Sequence, residues 1–190
     1  MKGKRINYEL LDTGEPAMSN PAVHFLDTHL NNTHELFEWG SGASTFWFAE
    51  RCKSVVSVEY FEEFYDVIKE RNTYDNLELV FQKPDNLCRK GYIAKFSSAR
   101  GFSFYNFAHT IDQYSLFDVI VVDGRARNRC LDLAFSKLRQ NGIIVYDDTN
   151  RKEYHDYMMK YADKFKKVFD FSGVTVDKKQ TTTSVLYKKL

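Results

Sequence analysis

Cysteine, proline and long apolar runs are all scarce in this sequence. The three cysteines, Cys52, Cys88 and Cys130, form no CxxC pair and are scattered, which excludes a disulfide framework. They read as buried or idle thiols in a reducing compartment. Three prolines and nine glycines leave no Pro/Gly-rich linker, and neither a repeat nor a low-complexity tract is present. No stretch approaches the roughly 20 apolar residues of a membrane span. Residues 1–5 are basic like the start of a signal peptide, but Ile6-Asn7-Tyr8-Glu9-Leu10 is too polar for its apolar region. These absences predict a cytoplasmic protein with no membrane partner. Charge of one sign is lacking too. Lys and Arg total 27 against 26 Asp and Glu, a net +1. A protein built on non-specific nucleic-acid binding is expected to be strongly basic, so no nucleic-acid partner is expected here.

Aromatic residues, by contrast, make up 16% of the chain, well above disordered composition. A length of 190 residues fits one domain. Strand-like and helix-like patterns alternate along it. Strands are predicted at 34–38, 54–60, 77–81, 117–122 and 142–146, and helices at 43–53, 61–72, 128–138 and 151–165. The run Phe117-Asp118-Val119-Ile120-Val121-Val122 is nearly unbroken, as in a strand covered on both faces. Such alternation implies a parallel sheet with helices on both faces. The tail departs from it, because 167–176 and 181–188 alternate with period two around a polar turn. They predict a hairpin with an antiparallel final strand. Asn20 as N-cap with Pro21 at the first helical position predicts a helix over 21–30 in an N-terminal cap segment, 1–33. An insert at 83–113 is long for a loop, with a helix predicted at 101–111.

The chemistry concentrates at strand ends. Glu38-Trp39-Gly40-Ser41-Gly42-Ala43-Ser44 is a glycine turn between a strand and a helix, where a missing Cβ lets a ligand approach the backbone. A tight turn with no ligand is the plain alternative. Glu59 ends the second strand, nineteen positions after Gly40. A carboxylate there presents two acceptor oxygens to the vicinal diol of a ribose, and the turn and the acid reinforce each other.

These residues resemble the cofactor-binding signature of class I S-adenosylmethionine-dependent methyltransferases, with Ser44 in place of the third glycine. The segment from Phe117 to Gly124, residues 142–148 and the final hairpin continue the resemblance, which covers residues 34–190. It implies a single Rossmann-like α/β domain, a three-layer sandwich on a seven-stranded sheet of order 3-2-1-4-5-7-6 with strand 7 antiparallel. It implies S-adenosylmethionine as cofactor, with Glu38, Gly40, Ser41, Gly42 and Ser44 toward its methionine end, Glu59 on the ribose, Asp85 near the adenine and Asp123 beside them. Asp85 reads equally well as an exposed turn residue. A nicotinamide-binding Rossmann domain is the nearest competitor. It would place glycine at Thr45, and the hairpin fits it poorly.

Ligands of open α/β sheets bind beyond the carboxyl ends of the strands, at the topological switch. Asp123 ends the fourth strand and is followed by Gly124-Arg125-Ala126-Arg127; Asp147 and Asp148 end the fifth and are followed by Arg151. Methyl transfer requires alignment of an acceptor and, for a hydroxyl, removal of its proton. Asp123 and Arg125 are therefore the candidate catalytic residues, and Arg127, Asp147, Asp148 and Arg151 the candidate acceptor-binding set. Arginine forks suit an anionic acceptor, although pairing with the neighbouring acids accounts for them equally. Asp123, Asp147 and Asp148 also resemble the metal triad of catechol-type O-methyltransferases, which implies Mg²⁺, although that family has Asn at the place of Asp148. His109 and the aromatics around it read as packing more readily than as an acceptor wall. The expected function is methyl transfer to a small polar or anionic molecule, at oxygen. A non-catalytic S-adenosylmethionine-binding module is the alternative, and a homodimer is left open.

Overall fold

A computed structural model of the chain describes residues 8–85 and 103–189. Cys88 and the first residues of the predicted 101–111 helix lie outside them. The sheet has seven strands in the order β3-β2-β1-β4-β5-β7-β6. They are β1 (Glu35–Trp39), β2 (Ser54–Glu59), β3 (Leu77–Phe81), β4 (Phe117–Val122), β5 (Leu138–Tyr146), β6 (Phe165–Val174) and β7 (Gln180–Lys188). The first five pair in parallel, and β7 runs antiparallel to both β5 and β6, as the period-two tail predicts.

Alternation along β4 sorts side chains between two cores. Ile120 and Val122 pack with Phe37, Trp39 and Phe107 on one face. Val119 and Val121 pack with Leu36, Phe48 and Ile143 on the other. All four of these β4 side chains are fully buried. Each such burial removes an aliphatic side chain from water and contributes about 1.5–3 kcal/mol.

The helices are α1 (Tyr8–Thr13), α2 (Asn20–His29), α3 (Ala43–Ala49), α4 (Glu62–Arg71), α5 (Tyr105–His109), α6 (Arg127–Lys137) and α7 (Lys152–Met159). α3 ends at Ala49, four residues short of the predicted 53, and three other helices also differ from expectation. α1 has no predicted counterpart, since only its Leu11 is buried, in a small cluster with Ala43 and Ile68. α2 begins one residue early, with Ser19 rather than Asn20 at the N-cap. Ser19 Oγ does not cap the helix but donates to the carbonyl of Phe171 at 2.7 Å, joining α2 to β6. α7 stops at Met159, and a 3-10 turn at Ala162–Lys164 leads into β6. β5 begins four residues before the predicted start at Gly142 because the chain bulges there. A Cβ on Gly142 would stand 2.7 Å from the carbonyl oxygen of Asp118.

Candidate cofactor site and strand-end rim

Glu38 is fully buried beneath the glycine turn. Ser44 Oγ donates to its Oε1 at 2.5 Å, while Thr45 Oγ1 and Ser57 Oγ donate to its Oε2 at 2.6 and 2.7 Å. Two relays run from this carboxylate into the turn. Thr45 Oγ1 accepts the Gly42 N–H at 2.9 Å, and Ser41 Oγ lies 2.7 Å from Ser57 Oγ. Burial pushes the Glu38 carboxyl above the usual carboxylate range, while the three hydroxyls pull the other way. The side chains of Glu38, Ser41 and Ser44, predicted to line the cofactor, thus hold the turn from below. Thr45 and Ser57 are the members sequence reasoning missed. The signal was a Ser in the middle of the β-branched run Val55-Val56-Ser57-Val58, which register places directly opposite Glu38.

Gly40 has φ +101, a conformation that L side chains rarely adopt. Its N–H donates to Val58 O at 2.9 Å, and Asp123 N–H donates to Trp39 O at 3.1 Å. The turns after β1 and β4 are therefore stitched to their neighbours at the switch point.

Glu59, only 4% exposed, ends β2. Its Oε1 accepts the N–H groups of Tyr60 and Phe61 at 2.9 and 2.8 Å, and its carbonyl accepts the Gln82 N–H at 2.8 Å. Beyond β3 opens a cavity of about 260 Å³ lined by Gln82, Lys83, Pro84, Asp85 and Asn106. Asp85 binds the Asn106 side chain at 2.5 Å and its backbone N–H at 3.2 Å. Glu59 thus ends β2 and is joined through its carbonyl to Gln82, while Asp85 lies four residues past the end of β3, bridged to Ser103. Were S-adenosylmethionine to bind at this end of the sheet, these would be the groups toward its adenosine half. The donor set would be Glu59 for the ribose and Asp85 with Asn106 for the base.

The rim beyond β4 and β5 is organised by Arg127, whose side chain is 10% exposed. Nε donates to Gly124 O at 3.2 Å, Nη1 to Asp147 O at 2.8 Å, and Nη2 to Asp123 O and Oδ1 at 2.9 and 2.6 Å. Nη1 also pairs with Asp148 Oδ2 at 2.8 Å, and the Tyr154 ring lies 5.4 Å from the guanidinium carbon. Every guanidinium nitrogen thus meets a protein oxygen, so Arg127 does not take the anion-binding place predicted for it. From the far side, Thr183 Oγ1 donates to Asp147 at 2.6 Å and Thr181 Oγ1 to Asp148 at 3.2 Å. Burial raises both Asp123 and Asp147. Arg127 opposes the rise in each, while their mutual repulsion adds to that of Asp147.

The predicted Mg²⁺ triad of Asp123, Asp147 and Asp148 is corrected by the same geometry. A guanidinium stands among the three carboxylates. Among the described residues, no group of three or more His, Cys, Asp or Glu side chains is placed to hold a metal ion. Arg125 lies apart from the acids. Its Nε and Nη2 donate to Tyr60 Oη at 3.1 and 3.0 Å, with the guanidinium carbon 5.2 Å from that ring. Arg151 is 56% exposed and pairs with Asp148 at 2.8 Å. His109 bonds Asp112 at 2.6 Å and stacks on Tyr105, the packing role its sequence surroundings suggest.

This architecture recurs in solved structures. A candidate O-methyltransferase from Klebsiella pneumoniae matches with a TM-score of 0.68 at 13% identity, covering 100% of this chain and 92% of that one. The fold is that of the class I methyltransferases. The tRNA (m1A58) methyltransferase of Aquifex aeolicus shares the methyltransferase fold at a TM-score of 0.62 and 13% identity, over 96% of this chain and 76% of that one. A candidate methyltransferase from Streptococcus mutans, solved in complex with SAH, matches at a TM-score of 0.54 and 10% identity, over 86% and 94%. No family model and no curated protein matches the sequence. Among the described residues no helix is long and apolar enough to cross a membrane.

Proposed function

We propose that this protein is an S-adenosylmethionine-dependent methyltransferase of the cytoplasm, acting at an oxygen of a small polar acceptor rather than on nucleic acid. The observation that carries this reading is Glu59, held at the end of β2 by the N–H groups of Tyr60 and Phe61 and joined through Gln82 to the cavity beyond β3. Glu59 binds the ribose hydroxyls, and Asp85 with Asn106 faces the base. The bound cofactor supplies an electrophilic methyl group on a sulfonium. The chain's own task is to align the acceptor and take its proton. Asp123, at the switch point with its side chain 24% exposed, is the carboxylate that orients the acceptor and receives that proton. Arg151, the exposed cation of the rim, contacts the acceptor's outer part.

Titration calorimetry with S-adenosylhomocysteine tests this reading. Binding in the micromolar range is expected, as for a cofactor product, and no heat at about 1 mM ligand would refute it. The binding-module reading is favoured by one observation: Oδ1 of Asp123 is already engaged by Arg127 at 2.6 Å. Under that reading the chain binds S-adenosylhomocysteine but transfers no methyl group across a panel of hydroxylated small molecules.

A further inference from the structure

Three carboxylates at one rim require a counter-charge. The side chains of Asp123, Asp147 and Asp148 are 24%, 5% and 18% exposed. Carboxylates brought together with so little water repel one another, and an uncompensated buried charge is strongly destabilising. Such a set commonly draws a hard divalent cation, which prefers oxygen ligands. Here the charge comes from within the chain. Nitrogens of Arg127 lie 2.6 Å from Asp123 Oδ1, 2.8 Å from Asp148 Oδ2 and 3.8 Å from Asp147 Oδ2.

The surrounding backbone is bent to put the guanidinium there. Ala126, immediately before Arg127, has φ 50, and Asp148 has φ 59. Left-handed conformations at residues other than glycine persist only where their surroundings over-determine them. The backbone carbonyls of Asp123, Gly124 and Asp147 all accept from the same guanidinium, so Arg127 ties the β4 turn to the β5 turn.

We propose that Arg127 is the resident cation of this rim, occupying the place a divalent ion would otherwise be drawn to, and that it is the positioning residue that presents Asp123 at the switch point without a metal. What Asp123 does there rests on the methyltransferase reading; the replacement of a metal by the guanidinium does not.

The test uses the whole chain and Mn²⁺ alone as the probe, with the loss of the free-ion electron paramagnetic resonance signal as readout. Wild-type protein should leave Mn²⁺ free up to about 1 mM, whereas Arg127→Ala should bind it at least about tenfold more tightly. Adding Asp148→Asn to Arg127→Ala should abolish that binding. Arg127→Ala should also melt on the order of 10 °C lower, as expected for a buried ion pair stripped of one partner. Millimolar guanidinium or Mn²⁺ should recover part of that loss and leave wild-type melting unchanged. If Arg127→Ala does not fold, Arg127→Met/Asp147→Asn should melt above Arg127→Met, because it removes an acid together with the cation. Wild-type Mn²⁺ binding that Asp148→Asn abolishes would overturn the proposal. An Arg127→Ala protein that melts normally and gains no Mn²⁺ affinity, or a double variant no better than Arg127→Met, would overturn it too. Wild-type binding of S-adenosylhomocysteine is measured separately, so a failure of the methyltransferase reading is not confused with a failure here.

Discussion

A Cβ built on Gly40 would stand 2.8 Å from the Cα of Gly124, so the turns after β1 and β4 meet glycine against glycine. Gly124 is equally confined, since its own Cβ would meet Phe107 Cζ at 2.8 Å and the Trp39 carbonyl carbon at 3.0 Å. Gly40 carries the further constraint of φ +101. Gly40→Ala should therefore lose about 2–4 kcal/mol of stability and Gly124→Ala about 1–3 kcal/mol. Urea denaturation of the two variants checks both the loss and the ranking. A Gly40→Ala protein as stable as wild type would mean that the turns do not touch.

Glu59 should separate ligand binding from folding. Removing one charged acceptor from a diol costs about 1.5–3 kcal/mol, so Glu59→Ala should weaken S-adenosylhomocysteine binding on the order of 10–100-fold. Glu59→Gln keeps an acceptor oxygen for the Tyr60 and Phe61 N–H groups and should lose less. Calorimetry on both variants, beside their melting curves, distinguishes a lost contact from a lost fold. Unchanged affinity in a folded Glu59→Ala protein would remove the ribose assignment.

Glu38 predicts a pH dependence whose sign follows from its burial. Its carboxyl titrates above the ordinary value of 4.5 in the native state. The native state therefore binds more protons than the unfolded chain between those two values, and stability falls as the pH rises. The contribution is whole below the ordinary value and is lost as the pH climbs through the raised one. Glu38→Gln cannot titrate there. The stability difference, wild type minus variant, should thus shrink as the pH rises above the ordinary value of 4.5. A flat difference above that value would show that the three hydroxyls fully offset the burial.

What the sequence made legible was what neighbours in the chain determine. The unbroken apolar run of Val119, Ile120, Val121 and Val122 marks a strand covered on both faces, and the spacing of Gly40 and Glu59 spans one strand–helix–strand unit. What stayed hidden depended on distant partners. Ser19 gives its hydroxyl to Phe171, 152 positions away, so the helix start moved. Ser57 faces Glu38 only through strand register. Arg125, Arg127 and Arg151 look alike in sequence. Only the turn geometry sends Arg127 inward to the acids, Arg125 to Tyr60 and Arg151 outward.

Ala126 is the residue whose replacement should help rather than harm. It precedes α6 with φ 50 and ψ 35, a left-handed conformation in which its Cβ crowds the backbone. That conformation costs a residue with a Cβ roughly 1–2 kcal/mol, while glycine adopts it without strain but loses more freedom on folding. The balance favours glycine, which is also well tolerated at an N-cap. Ala126→Gly should gain about 0.5–1 kcal/mol, a rise of about 1–4 °C in Tm. Ala126→Val should move the other way, because a β-branched side chain is worse in this region. Thermal melts of the pair provide the check. A glycine variant less stable than wild type would mean that Arg127 and its three acids do not require the left-handed turn.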